Sequence, residues 1–132
     1  MVNAPIHDLL IRLKNAYMAR KKTVEGIQYS KFKVRVLELL QKFKFIDSFE
    51  AVGEWAKQTL TVQLHVTGNL VEDIPVIRMY SKPSRRWYIG WQDIRPVAWG
   101  RGIWILSTSQ GLMASHEAKK KKIWGELIAE IY

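Results

Sequence analysis

Residues 102–132, GIWILSTSQGLMASHEAKKKKIWGELIAEIY, decide how the chain is read. The segment opens on an apolar run, GIWILS, whose branched and aromatic residues favour a strand. It then sets three consecutive hydroxyls, Ser107, Thr108 and Ser109, before a turn at Gly111. Ser115 is a candidate N-cap for a short lysine-rich helix with Glu117 in its first turn, and GELIAEIY predicts a closing strand. Taken alone, STSQG is a tight turn whose hydroxyls bond neighbouring backbone amides.

Working outward, VIRMY and RRWYIG are further short strand candidates, separated by the loops SKPS and DIRPVAWG, so the second half is mainly β. The segment TGNLVEDIP, with Gly68, Asn69 and Pro75, interrupts both helical and strand periodicities and marks a boundary. The first half differs in kind. Ile6, Leu9, Leu10, Leu13, Ala16 and Tyr17 recur at helical spacing over 4–21, with Pro5 in the first turn and Asp8, Arg12, Asn15 and Lys22 on the opposite face. An extended TVEGIQY leads to Ser30, the expected N-cap of a helix that turns Phe32, Val36, Leu39, Leu40 and Phe43 inward and ends near Lys42 and Lys44. FIDSFEAV and TLTVQLHV predict two strands joined near Gly53, the second alternating Leu60, Val62, Leu64 and Val66 with polar residues. The expectation is an α+β chain of two small subdomains, α-β-α-β-β over 1–67 and a mainly β part with one short helix over 68–132.

Composition narrows the function. The chain has 132 residues, 48% of them hydrophobic, enough for a packed core, and 21 Lys and Arg against 12 Asp and Glu give a formal net charge of +9. That balance points to a large polyanion, with nucleic acid ahead of an anionic membrane surface. The sequence has no cysteine, which excludes disulfides and thiolate metal sites and, with no signal-peptide pattern, predicts a reducing, intracellular setting. No apolar run approaches the roughly 20 residues of a membrane span, and a soluble, membrane-free protein is expected.

Enzyme chemistry has no sequence support. There is no G-x-S-x-G around Ser107 or Ser109, and His7, His65 and His116 lie on three different elements, so neither a serine triad nor a metal set is formed. GRG at 100–102 lacks the third glycine of a dinucleotide fingerprint, no phosphate-binding P-loop occurs, and no cofactor is expected. RNA recognition, by contrast, needs cations for phosphate, small hydroxyls for close hydrogen bonds and flat groups for stacking. SKPSRRWY at 81–88 supplies Lys82, Arg85, Arg86, Trp87 and Tyr88 in one segment, with Pro83 stiffening the loop.

The 102–132 segment closely resembles the C-terminal signature of the bacterial-type small-subunit ribosomal protein eight family: a glycine-led strand, Ser-Thr-Ser, a glycine and methionine, a short acidic-basic helix, and a Gly-Gly-Glu strand. PIHDLLIRLKNAYMARKKTVE and SKPSRRWY look like two further family signatures, in order and at family spacing, so the resemblance spans essentially the whole chain. It implies a non-enzymatic protein of the small ribosomal subunit, located on the ribosome in a bacterial cytoplasm or an organelle. Its partners would be an irregular helix in the central domain of the ribosomal RNA, neighbouring ribosomal proteins and, in many bacterial members, a similar structure in the operon's own messenger. Matched by position, Ser107, Thr108, Ser109 and Gly111 would contact the distorted helix, with Glu126 supporting the loop. Lys82, Pro83, Arg86 and Tyr88 match the basic loop and following strand, Ser30 and Lys31 the start of the second helix, and Arg12 and Asn15 the first-helix signature. Departures are Ser84 for the usual glycine after Lys-Pro, Trp99 and Arg101 before the strand, and Trp124 for the first glycine of Gly-Gly-Glu. Trp104 is expected in the core, Trp99 and Trp124 against a partner or RNA. The rival readings are an RNA-binding regulator outside the ribosome and, far behind, a serine hydrolase.

Overall fold

A computed structural model describes residues 3–54, 57–64, 75–81, 84–96 and 102–132. The chain divides into two compact units, Asp8–Pro75 and Val76–Tyr132, the latter joined by the residues up to His7. The fold is α+β, as the residue patterns require.

Helix α1 spans Asn3–Met18, and Ile6, Leu9, Leu10, Leu13, Ala16 and Tyr17 are all buried, which is the stripe their spacing demands. It ends earlier than the pattern suggested, with Arg20 at φ 56, so Lys22 lies beyond the helix and its carbonyl accepts from the Leu64 amide at 2.8 Å. Strand β1 (Thr23–Gln28), β2 (Ile46–Val52) and β3 (Thr59–Leu64) form an antiparallel sheet in the order β1-β3-β2. His65 and Val66 of the expected strand fall outside the described residues. Leu60, Val62 and Leu64 are buried with Val24, Ile27 and Ile46, and the alternate residues of β3 form the more open face.

Helix α2 (Lys31–Lys42) starts where Ser30 predicts, but the Ser30 hydroxyl makes no cap bond. Its inward face also differs: Val36, Leu37 and Leu40 are buried, whereas Phe32 is 45% exposed and Leu39 and Phe43 are half-buried. Leu37 completes the stripe because the chain turns α2 by about one position relative to the face drawn through the phenylalanines. Lys44 takes the left-handed conformation just past the helix, φ 65, and Tyr17 ties this corner to α1 by donating its hydroxyl to the Phe45 carbonyl.

The second unit carries β4 (Ile77–Met79), β5 (Tyr88–Ile89), β6 (Ile103–Thr108), β7 (Gly111–Ala114), α3 (Ser115–Lys121) and β8 (Gly125–Ile131). Its sheet runs β4-β8-β6-β7, with β5 also paired to β8. Leu106, Met113, Ala118, Leu127 and Ile94 form the core, and Trp104 packs partly buried against it as expected. Ser115 departs from its expected role: Ala114 holds the cap position, and the buried Ser115 hydroxyl accepts from the Trp104 amide at 3.2 Å. The helix cap has become a pin between α3 and β6. Of RRWYIG only Tyr88–Ile89 is strand, and Trp91–Asp93 form a single 3₁₀ turn.

Candidate nucleic-acid interface

The three hydroxyls sit where β6 turns into β7. Thr108 pairs with Gly111, leaving Ser109 and Gln110 as the turn, and Gly111 takes φ +107, a conformation that a side chain opposes. Thr108 Oγ1 donates to the Gly111 carbonyl at 2.8 Å and accepts from the Gln110 amide at 3.1 Å. The middle hydroxyl therefore holds the turn closed. Ser107 is half-buried and Ser109 exposed, so these two flank a hydrogen-bonded turn.

Strand pairing extends the site sideways. Ser107 lies opposite Glu126 on β8, and Glu126 lies opposite Tyr88 on β5. Directly paired residues share a sheet face, so Ser107, Glu126 and Tyr88 make one row across three strands. Glu126 is buried, and its Oε1 lies 3.7 Å from Arg86 Nη1, which joins a residue of the basic loop to the row. Ser107, Thr108 and Ser109 share a cleft of about 320 Å³ with Tyr88, Trp124, Gly125 and Glu126.

Gly125 is the position of the GELIAEIY strand where the packing leaves no room for a side chain. A Cβ there would stand 2.8 Å from the Ser107 carbonyl oxygen and 2.8 Å from Thr108 Cγ2, closer than atoms pack. Only glycine lets β8 approach the hydroxyl strand at that point. Trp124, which replaces the preceding glycine of the family pattern, is not among the residues with positive φ, so its backbone is ordinary. Its indole is 65% exposed and meets the Tyr88 ring at a centroid distance of 6.0 Å.

Ser81 is a residue that the sequence reading passed over. It is buried, accepts from the Trp87 amide at 3.0 Å and donates to the Leu127 carbonyl at 2.6 Å. With the Leu127 amide donating to the Trp87 carbonyl at 2.8 Å, it closes the base of the loop that carries Arg85 and Arg86. Its signal was position: a small hydroxyl at the entrance to a loop that must return to the same strand. Arg85 lies over the Trp87 ring at 5.4 Å, while Lys82 and Pro83 fall outside the described residues.

The first unit brings Arg12 and Asn15 together with Lys21, Thr23 and Glu25 around a cleft of about 430 Å³. Arg12 donates from Nη1 to the Gly26 carbonyl at 3.1 Å and from Nη2 to the Glu25 carbonyl at 2.7 Å. These carbonyls belong to an irregularity in β1 between Val24 and Ile27, where Gly26 takes φ +72. Lys31 is exposed at the start of α2, whose first turn contains no acidic residue. A cation there opposes the helix dipole, and the exposed amides and the lysine both favour an anion.

These features define a basic α+β protein that brings surface hydroxyls, arginines and exposed aromatics together on one sheet. A family model described as ribosomal protein S8 matches residues 4–132, and the chain belongs to that family of structural, non-enzymatic proteins. It is 39% identical over 133 residues to small ribosomal subunit protein uS8 of Dictyoglomus thermophilum, covering 99% of this chain and 98% of the relative. The protein of that name from Mesomycoplasma hyopneumoniae is 41% identical over 131 residues, covering 99% and 98%. That from Coprothermobacter proteolyticus is 39% identical over 132 residues and matches the full length of both.

Proposed function

We propose that this chain is a structural constituent of the small ribosomal subunit that binds an irregular helix in the central domain of the ribosomal RNA and helps that domain fold during assembly. The observation that carries the reading is the row Ser107–Glu126–Tyr88 beside a hydrogen-bonded Ser-Thr-Ser turn in a chain of net charge +9. Ser107, Thr108, Ser109 and the backbone at Gly111 read the distorted helix, since short hydroxyls reach base edges and 2′-hydroxyls with little side-chain entropy to lose. Glu126 holds the row in register, and Lys82, Pro83, Arg86 and Tyr88 approach the phosphates alongside. Ser30 and Lys31 meet RNA backbone from the first subdomain, 1–67, while Arg12 and Asn15 face a neighbouring RNA segment. The second subdomain, 68–132, supplies the specificity. Neighbouring ribosomal proteins complete the surroundings on the ribosome, and the same surface represses translation by binding a similar structure in the operon's own messenger.

Affinity for the central-domain helix, measured at several fixed salt concentrations with excess competitor RNA, tests this. Tight, competitor-resistant binding that is lost in the Ser107→Ala, Ser109→Ala double variant is expected. Equal affinity for any structured RNA, or a double variant that binds like the parent, sinks the reading. The salt slope reports phosphate contacts separately from the hydroxyls.

A further inference from the structure

Two large aromatic side chains wall the cleft beside the hydroxyl turn, and neither is covered. Trp124 is 65% exposed and Tyr88 60% exposed. Their rings stand 6.0 Å apart at 59°, a tilted contact and not a parallel stack. Both line it, together with the three hydroxyls, Gly125 and Glu126. Leaving an indole largely in water forgoes the stabilisation its burial would bring, and the ordinary backbone at Trp124 shows no conformational reason for the residue to be there. Its flat face is the property left unexplained by the fold.

The cleft, at about 320 Å³, lies at the small end of the range of ligand pockets, about 300–1,000 Å³. The one charged residue of its lining among the described residues, Glu126, is matched by Arg86 at 3.7 Å, and Arg85 lies on the same loop, over Trp87. A planar occupant suits the exposed rings, and an aromatic face accepts any base because every base has a π-face.

We infer that Trp124, buttressed by Tyr88, is a stacking platform for one unpaired nucleobase of the bound RNA. This rests on the RNA-binding reading and adds to it a contact of a different kind. The hydroxyls distinguish shape at short range; the indole holds a splayed-out base against the cleft wall, a sequence-tolerant clamp that slows dissociation. Placement at 124 follows from Gly125: the close approach of β8 to β6 is met by the glycine, so the preceding position is free to carry a bulky ring.

The test uses the full chain and the central-domain helix of a bacterial small-subunit ribosomal RNA, intact and with each unpaired nucleotide in turn replaced by an abasic one. Trp124→Ala is expected to weaken binding to the intact helix by about 5- to 140-fold, the range of single base–aromatic stacks, and to make no difference on the helix abasic at one particular position. Trp124→Phe retains most of the affinity, and an unchanged thermal midpoint shows that the exposed position does not support the fold. Trp124→Ala binding like the parent on the intact helix overturns the platform while leaving the hydroxyl reading intact. A loss that persists at every abasic position overturns it as well, since the indole would then be acting on no base. A parent chain that shows no preference for the helix over competitor RNA overturns both readings together.

Discussion

Two regions carry the basic and polar residues that the sequence marks as contacts, and they use them differently. In the second unit, Ser107, Glu126 and Tyr88 line up across β6, β8 and β5, and only Thr108 of the three hydroxyls is occupied by the turn itself. In the first, the guanidinium of Arg12 is directed at two carbonyls of β1. A residue can belong to a signature because it touches a partner or because it holds the element that does. Counting its donors against its neighbours separates the two.

The sharpest way to break the contrast is at Gly125. Gly125→Ala forces a Cβ into the Ser107 carbonyl and Thr108 Cγ2, and relief requires β8 and β6 to separate beside the turn. A loss of stability of about 3 kcal/mol is expected, read by chemical denaturation, together with loss of selective RNA binding. An alanine variant as stable as the parent would show that the sheet yields there. Trp124→Gly, one residue away, leaves stability nearly unchanged.

Ser81→Ala comes next. It strands the Trp87 amide and removes a hydroxyl that also donates to the Leu127 carbonyl, and an unsatisfied buried polar group costs about 2 kcal/mol. Hydrogen exchange at the Trp87 amide should rise faster than at Ile105, in the centre of the sheet. If the two rise together, the serine supports the unit as a whole and not the loop.

These positions show what was legible. The α1 stripe was readable because a sustained 3.6-residue period admits one inward face, and β3 because strict alternation does the same for a strand. The α2 face was misdrawn because two phenylalanines outweighed Leu37 in a helix whose orientation only the sheet beneath it decides. Ser115 and Ser81 look in sequence like a cap and a loop residue, and their pins to Trp104, Trp87 and Leu127 join positions that only folding brings together. The dispensable and indispensable glycine positions at 124 and 125 are likewise indistinguishable until the distance from β8 to β6 is known. The hydroxyl turn itself was visible, since its residues are contiguous, whereas its row with Tyr88 depends on strand order.

Arg12 gives a smaller effect that tests the first region directly. Arg12→Ala removes two exposed hydrogen bonds to the β1 irregularity and is expected to lower stability by about 1 kcal/mol. Arg12→Lys keeps the charge but not the paired donors, so it should be destabilised almost as much while the salt dependence of RNA binding stays that of the parent. A lysine variant with parental stability would show that the paired donors do not hold β1, leaving Arg12 its role toward RNA alone.

The smallest effect is alkaline and belongs to Tyr17. Burial, reinforced by the charge of Asp47, pushes its phenol well above the ordinary value, so the folded chain keeps a proton that an unfolded tyrosine gives up near pH 10. The folded state then binds more protons than the unfolded one, and stability falls as pH rises. This contribution is intact below about pH 9 and amounts to a loss of about half a kcal/mol at pH 10, increasing above it. Tyr17→Phe removes the titration at the cost of leaving the Phe45 carbonyl without its donor, so the variant should start less stable at pH 8 and show a shallower decline between pH 9 and 11. Denaturation midpoints across that range check the slope independently of the starting level. Parallel declines in the two chains would mean that Tyr17 ionises as readily folded as unfolded, and that the α1 corner, like the hydroxyl turn, is open to water.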